Sequence, residues 1–578
     1  MKPSFLILSC ACALIVGCKH TPSNIRCNQV GFRPLQEKTA TLTLSDERLA
    51  VSEVFIQNEA GDTVWTGNPL PVTPNPISGK PCQLVDFTSL TASGTYTLHT
   101  PVGQMQFVIC DRPYKELTRA ALRAFYHQRA SMATEEPFAE GYARLAGHPD
   151  DHVLVHASAA TAERPENTVI ASPGGWYDAG DYNKYIVNSG YTMGVWLMAY
   201  EMNKTYYDTL NLNIPESGLA VPDMLAEAMY NLRWMMTMQD SDGGVYHKLT
   251  TPNFEKFKAP NKCRQPRYVV LKTTAASLDF AATMALAARV FVPFENVYPG
   301  FVQQATEAAK RAFAWAQEHP AVYYDQPKMN ESFKPAINTG AYDDFDVSDE
   351  FYWAATELYL LTGEDSYKSE VLHQNSNLTN YIPAVWGNVA ELAYLELVMH
   401  PTLAPLTVDP SALWSHLQPY LVEAETISVH RAPYGNREDD FFWGCNSEGC
   451  CWRGVECLYA YHLTGDDKYR ANAERCLNNV LGQNATGYCY VTGFGTNPTK
   501  HPHHRLSASN PHGTLPGFLA GGPNPARQDA ATDGVRYPKN VPADESYLDY
   551  RPSYASNEVT INWNVTLFAL AGGLDGLE

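Results

Sequence analysis

Leu361-Thr362-Gly363-Glu364-Asp365-Ser366-Tyr367 and Leu463-Thr464-Gly465-Asp466-Asp467-Lys468-Tyr469 carry the same local message. In each, an apolar helical run stops at a glycine and restarts just beyond an acidic residue, as one helical hairpin feeds the next. From Pro113 almost to the C-terminus the apolar residues keep a helical period. Clear amphipathic segments are 117–126, 191–202, 222–238, 273–291, 302–318, 348–361, 388–399, 455–463 and 468–481. About a dozen helices with one weak internal repeat predict a ring of paired helices. Long Gly/Pro/aromatic loops between them would build a site on one face. The stretch 498–542 is too long and too rich in Pro and Gly to be an idle connection.

Ahead of this lies a different pattern. From 24 to 111 the chain alternates with period two, and 41–44, 51–57, 63–65, 83–87, 95–98 and 105–108 read as strands. Gly61-Asp62, Pro74-Asn75-Pro76 and Ser93-Gly94 mark turns. Such spacing predicts an immunoglobulin-like sandwich. With no acidic pair, and Trp65 its only Trp, this module is expected to stabilise rather than to bind polysaccharide.

The whole chain of 578 residues is 45% hydrophobic and only 18% charged, which suits large cores rather than disorder. Its 42 Lys and Arg against 62 Asp and Glu give a net charge of −20, without a basic run. Nucleic acid and anionic membrane surfaces are therefore poor partners. Aromatic residues reach 12%, which suits sugar faces, and the low charge density favours a neutral substrate.

The N-terminus reads as an address. Lys2 precedes an apolar run from Phe5 to Val16 that is too short to span a bilayer. Ile15-Val16-Gly17-Cys18 resembles a bacterial lipobox, which implies a signal peptide over 1–17 and lipid on Cys18. An ordinary signal peptide cleaved nearby is the alternative. No later stretch is expected to cross a membrane, so the protein would be exported and held only by its lipid anchor. Nothing after Cys18 decides between periplasmic and surface display. Ten of the 13 cysteines lie beyond this segment, without a CxxC, and their pairing stays open.

Three constellations carry chemistry. Gly174-Gly175-Trp176-Tyr177-Asp178-Ala179-Gly180-Asp181 sets two carboxylates three residues apart, with small residues between them. Such a pair can hold one water, although Asp-x-x-Asp also serves a helix cap. Near the C-terminus, Glu558 follows Tyr554-Ala555-Ser556-Asn557, where desolvation could keep a carboxyl group protonated. Thr492-Gly493-Phe494-Gly495-Thr496-Asn497 leads to His501-Pro502-His503-His504-Arg505, whose donors suit sugar hydroxyls better than a metal.

Together, in this order, the three resemble glycoside hydrolase family 9, the inverting cellulase family. Asp178-Ala179-Gly180-Asp181 is similar to its catalytic carboxylate motif, 492–505 to its histidine signature, and 547–564 to its acidic signature. Ile25-Arg26-Cys27-Asn28-Gln29-Val30-Gly31-Phe32 resembles the opening of the immunoglobulin-like module found before many of these domains.

The resemblance implies a mainly α chain, with an (α/α)6 barrel over 113–578 behind the sandwich. It implies Glu558 as acid, Asp181 as base and Asp178 as second holder of the water. His503 and Asp549 enter as signature residues. Arg505, Tyr554, Trp176 and His247 would meet substrate. Asp349-Glu350 matches a calcium pair of some members, with Gly387 where a third acidic ligand would fall. The zinc site of other members is not expected, because Ala130 and Gly147 stand at its Cys positions. Catalysis would require no cofactor.

The implied activity is an endo-β-1,4-glucanase on cellulose-like or xyloglucan-like chains, acting as a monomer. An exo-acting β-glucosidase or glucosaminidase would use the same chemistry on short oligosaccharides. A non-catalytic carbohydrate-binding lipoprotein should have lost Asp181 or Glu558, and both are present.

Overall fold

The computed structural model describes residues 24–375, 381–402 and 408–577. The segment 1–17 and the lipidation expected at Cys18 lie outside the described residues.

Two antiparallel four-stranded sheets form the N-terminal module. One orders Ile25–Cys27, Thr39–Thr43, Pro81–Asp86 and Thr73–Pro74. The other orders Thr63–Gly67, Val54–Asn58, Gly94–Thr100 and Gly103–Ile109. Alternate residues such as Leu42, Ile56, Val85, Leu98 and Phe107 meet in the core between them, as a half-buried strand period requires. The result is the expected immunoglobulin-like sandwich. Strands Ile25–Cys27 and Thr73–Pro74 escaped the sequence reading because three and two residues are too few to show alternation.

The rest is an (α/α)6 barrel, with twelve helices of ten or more residues among the described residues. Ile186–Met202, Thr274–Phe291, Ser348–Thr362, Ala390–Met399, Trp452–Thr464 and Ile561–Asp575 form the inner ring and are buried on nearly every side. Lys115–Gln128, Asp223–Thr237, Phe301–Glu318, Asp365–Asn375, Ser411–Thr426 and Asp467–Val480 make up the other six. Burial all round explains why the inner helices lack a polar face. Thr274–Phe294 even has the length and apolarity of a membrane span, contrary to the sequence reading, but 89% of that window is buried inside the protein. It is the core helix of a barrel.

The chain segments that precede the inner helices gather at one end. Asp181 to Tyr185 precede Ile186, Tyr342 precedes Ser348, Trp386 precedes Ala390, Trp443 precedes Trp452, and Glu558 precedes Ile561. A five-stranded sheet of two- and three-residue strands, which the sequence did not announce, stiffens these loops. Its edge strand Lys184–Tyr185 pairs with Lys248–Thr250 just after Asp181.

The sandwich docks on the barrel through its first sheet and neighbouring loops. Glu37 accepts from Arg431 and Arg475, Thr41 donates to the Val429 carbonyl (2.6 Å), and the Asn28 amide reaches Asn478 (2.7 Å).

Candidate active site

Glycine geometry sets the first loop. Gly174 and Gly175 both hold positive φ (81° and 74°), and a Cβ on Gly175 would stand 2.6 Å from the Trp234 ring. The chain then turns Trp176 inward and Asp178 toward the cleft. Asp178 Oδ1 accepts from the Asn188 amide and Oδ2 from the Tyr342 hydroxyl, each at 2.7 Å. Asp181 accepts from the Asn183 side chain, from the Asn183 N–H (3.3 Å) and from the Tyr185 hydroxyl (3.3 Å), all at Oδ2. Oδ1 carries no protein hydrogen bond among the described residues and remains available to a water.

The three constellations meet here. Arg505 donates its backbone N–H (3.0 Å) and Nη1 (2.7 Å) to the Gly180 carbonyl. His503 N–H donates to the Asn557 carbonyl (2.8 Å), and the Glu558 carbonyl accepts from Gly521 N–H (3.0 Å). Glu558 is therefore held beside the aspartate loop by backbone bonds on both sides, with the Gly180 N–H donating to its carboxyl. Burial, then the charge of Asp181, lifts its carboxyl to about 8. Its residue surface is only partly covered, so this carboxyl reaches a cleft while losing most of its solvation. Burial and Asp181 also push Asp178 well above the ordinary carboxyl range. His503 is lowered to about 4, first by burial and then by Arg505, so it is a neutral ring at neutral pH.

Aromatic rings extend the site. His503 meets Phe257 at 5.0 Å and Tyr554 at 5.9 Å, and Tyr554 meets Trp443 at 5.5 Å. Tyr342 meets Trp386 at 5.0 Å. Phe254, Phe257 and Trp443 are exposed (46%, 39% and 41%). The sequence reading named His503 and Tyr554 but missed Tyr342, Asn188, Tyr185, Phe257, Trp386 and Trp443, whose side chains no short motif ties to Asp178.

Three expected site residues stand elsewhere. Trp176 is fully buried against Phe125 and Trp196, and its Nε1 donates to Glu227 (2.9 Å), so it is core and does not meet substrate. His247 stacks on Tyr324 and spends one ring nitrogen on Thr273 and the other on the Ala341 carbonyl, which leaves nothing for a sugar. Asp549 accepts from the N–H groups of Lys500 (2.9 Å) and His501 (2.7 Å); it positions the histidine loop rather than touching the reacting atoms. Arg505 faces Phe254 and Phe257, but Nε and Nη1 are committed to the Glu255 and Gly180 carbonyls.

A hard-cation donor set lies beside the barrel core. Asp349 accepts from Val389 N–H (2.7 Å), while both oxygens of Glu350 and of Asp279, and Oδ2 of Asp344, are buried without a hydrogen-bond partner. Burial and mutual repulsion hold all four carboxyls above their ordinary range. Such a set fits calcium, which takes oxygen ligands. Asp344 would fill the place of the acidic ligand that Gly387 cannot provide, since its Oδ2 lies 3.7 Å from where a Gly387 Cβ would stand.

Zinc does not fit at the position where the family resemblance would place it. Ala130 and Gly147 offer no donor, and a Cβ on Gly147 would stand 2.5 Å from Pro260. Glu201, Glu396 and His400 have metal-ligand proximity, but Arg289 pairs with both glutamates and fills that role.

The model of glycosyl hydrolase family 9 matches residues 114–571, and that of the cellulase N-terminal Ig-like domain matches residues 20–104. A Bacteroides ovatus protein named xyloglucan-specific endo-beta-1,4-glucanase is 47% identical over 561 residues, covering 96% of this chain and 94% of its own. Endoglucanase D of Acetivibrio thermocellus is 30% identical, covering 95% of this chain and 83% of its own. A solved structure described as Bacteroides ovatus GH9 superposes with a TM-score of 0.88 at 45% identity, over 96% of this chain and 99% of that one. The chain belongs to glycosyl hydrolase family 9.

Proposed function

We propose that this protein is an inverting endo-β-1,4-glucanase acting on neutral glucan chains, with xyloglucan as the first substrate to try. The arrangement of Asp178, Asp181 and Glu558 around one aromatic-walled cleft carries this reading. The name of the Bacteroides ovatus relative, a xyloglucan-specific endo-beta-1,4-glucanase, supports xyloglucan.

Inversion needs a protonated acid at the leaving oxygen and a base that holds water on the opposite face, with carboxyls ~6.5–9.5 Å apart. Glu558 keeps its proton at neutral pH and gives it to the leaving oxygen. Asp181 takes the proton of the attacking water through its open Oδ1. Asp178, fixed by Asn188 and Tyr342, holds the same water from the side. Neutral His503 and the rings of Tyr554 and Trp443 bind the sugars. No step requires a cofactor.

Calcium held by Asp279, Asp344, Asp349 and Glu350 would neutralise buried negative charge and brace the barrel. The Ile15-Val16-Gly17-Cys18 motif supports export and lipid anchoring at Cys18. The test is the anomer formed first from xyloglucan oligosaccharide, read by proton NMR, together with polymer viscosity. An α product with rapid viscosity loss is expected. A β product would refute inversion, and monosaccharide release with viscosity preserved would refute endo action.

A further inference from the structure

The acidic groups facing the cleft are not exhausted by the catalytic three. Between Trp443 and the inner helix Trp452–Thr464, the chain makes a π-helical turn over Asn446–Cys451. Such turns admit one extra residue and are frequent at functional sites. Asn446, Ser447, Gly449, Cys450 and Cys451 are all buried, and Glu448 alone in the turn reaches solvent.

The turn runs straight into the inner helix Trp452–Thr464, which puts Glu448 at the barrel end where the catalytic loops gather. Glu448 is held by the Trp563 indole N–H. Trp563 in turn is packed by two glycines: a Cβ on Gly444 would stand 2.7 Å, and one on Gly521 3.0 Å, from its ring. Gly521 N–H donates to the Glu558 carbonyl (3.0 Å), and the Gly521 carbonyl accepts from Asn446 N–H (3.0 Å). The floor under Glu448 is therefore continuous with the backbone of the proton donor.

The charge of Glu448 is not spent on the protein. No salt bridge involves it among the described residues. Trp563 occupies only part of its accepting capacity, since a carboxylate offers about four lone-pair sites. Burial, opposed by the Trp563 bond, brings it to about 7. A carboxylate with spare acceptors in the same loop as exposed Trp443 suits the hydroxyls of a sugar whose ring lies on the indole.

We propose that Glu448 is a substrate-binding residue of the cleft floor, accepting hydrogen bonds from the hydroxyls of a glucosyl unit beside the one that is cleaved. This rests on the glucanase reading above.

The test compares Glu448→Gln and Glu448→Ala with the intact enzyme on glucan oligosaccharides of increasing length, alongside thermal melting. Gln preserves size and an acceptor for Trp563, which guards the fold. Once the substrate is long enough to fill the neighbouring subsite, kcat/KM should fall about 10–100-fold in the Ala variant, the worth of one charged hydrogen bond. The Gln variant should fall less. The shortest substrate should be cleaved at the unaltered rate. Unchanged kcat/KM at every length would overturn the proposal. So would an equal loss at every length accompanied by a lowered Tm, which marks a prop for Trp563. An intact enzyme that cleaves no β-glucan would instead refute the activity itself.

Discussion

Gly180 lies so close to His503 that a Cβ on it would stand 2.0 Å from the His503 carbonyl oxygen. No side chain fits there. The glycine between the aspartates therefore sets the distance between the water-holding loop and the loop that pairs with Glu558. Gly180→Ala must push the two apart. Because displacement by about 1 Å can cost ~10²-fold in rate, kcat should fall at least that far. The variant should retain its far-ultraviolet circular dichroism, and a rate within a few-fold of normal would contradict this geometry.

The carboxylates should separate by leaving group. Glu558→Gln removes the proton donor, with a loss of about 10²–10⁴ on a natural glycosidic bond. An aryl glycoside with an activated leaving group should keep much of its rate, because its oxygen needs little protonation. Asp181→Asn should abolish both. Asp178→Asn should fall between them, since an amide keeps a water contact without the charge. Equal losses for Glu558→Gln on both substrates would remove it from the acid role.

The pH profile follows from Glu558. Its folded value, about 8, lies above its ordinary 4.5, so the acid form persists through neutrality and is lost as pH rises through about 8. An alkaline limb of kcat/KM near 8 is expected, and it should vanish in Glu558→Gln. Stability has the same sign. A raised carboxyl contributes fully below about 4.5 and loses its contribution as pH climbs through about 8, so unfolding by urea should become easier over that window.

Calcium should affect stability and leave chemistry untouched. EDTA should not diminish activity at moderate temperature, whereas saturating calcium should raise Tm. At 100 times Kd the gain is about 2.7 kcal/mol. Glu350→Gln should lose most of that shift. Immediate loss of activity on chelation, restored by zinc, would contradict this assignment.

At the domain junction, Glu37→Ala removes one of the two carboxylate partners of Arg475, Glu425 being the other, and the Arg475 side chain is almost fully buried. Charged hydrogen bonds of this kind are worth about 1.5–3 kcal/mol each. The Tm should fall while kcat stays unchanged, because nothing in the cleft touches this contact.

What the sequence disclosed divides along physical lines. Helices with one apolar face, such as Phe301–Glu318 and Asp467–Val480, were legible from period alone. Ser411–Thr426, interrupted by Pro419, was not. Asp178, Asp181 and Glu558 stood out as short motifs, and the structure brings them to one cleft. Trp176 sits two residues before Asp178, yet only the turn at Gly174 and Gly175 determines that it points into the core. Tyr342 reaches Asp178 across 164 positions of sequence, and Asp279 comes to Asp349 from a distant helix in the same way. Such long-range meetings leave no mark in local composition.

The inner helices begin where the carboxylates are, and this has an electrostatic consequence. Each helix N-terminus carries roughly +0.5 of an elementary charge. Several of them facing the cleft supply a fixed positive field beneath Asp178, Asp181, Glu448 and Glu558. It adds to the charge of Arg505, and both act against the burial that raises Glu558. The field belongs to the backbone, so substitution of the lining residues leaves it in place, and the loops can diversify their sugar contacts over a constant electrostatic floor.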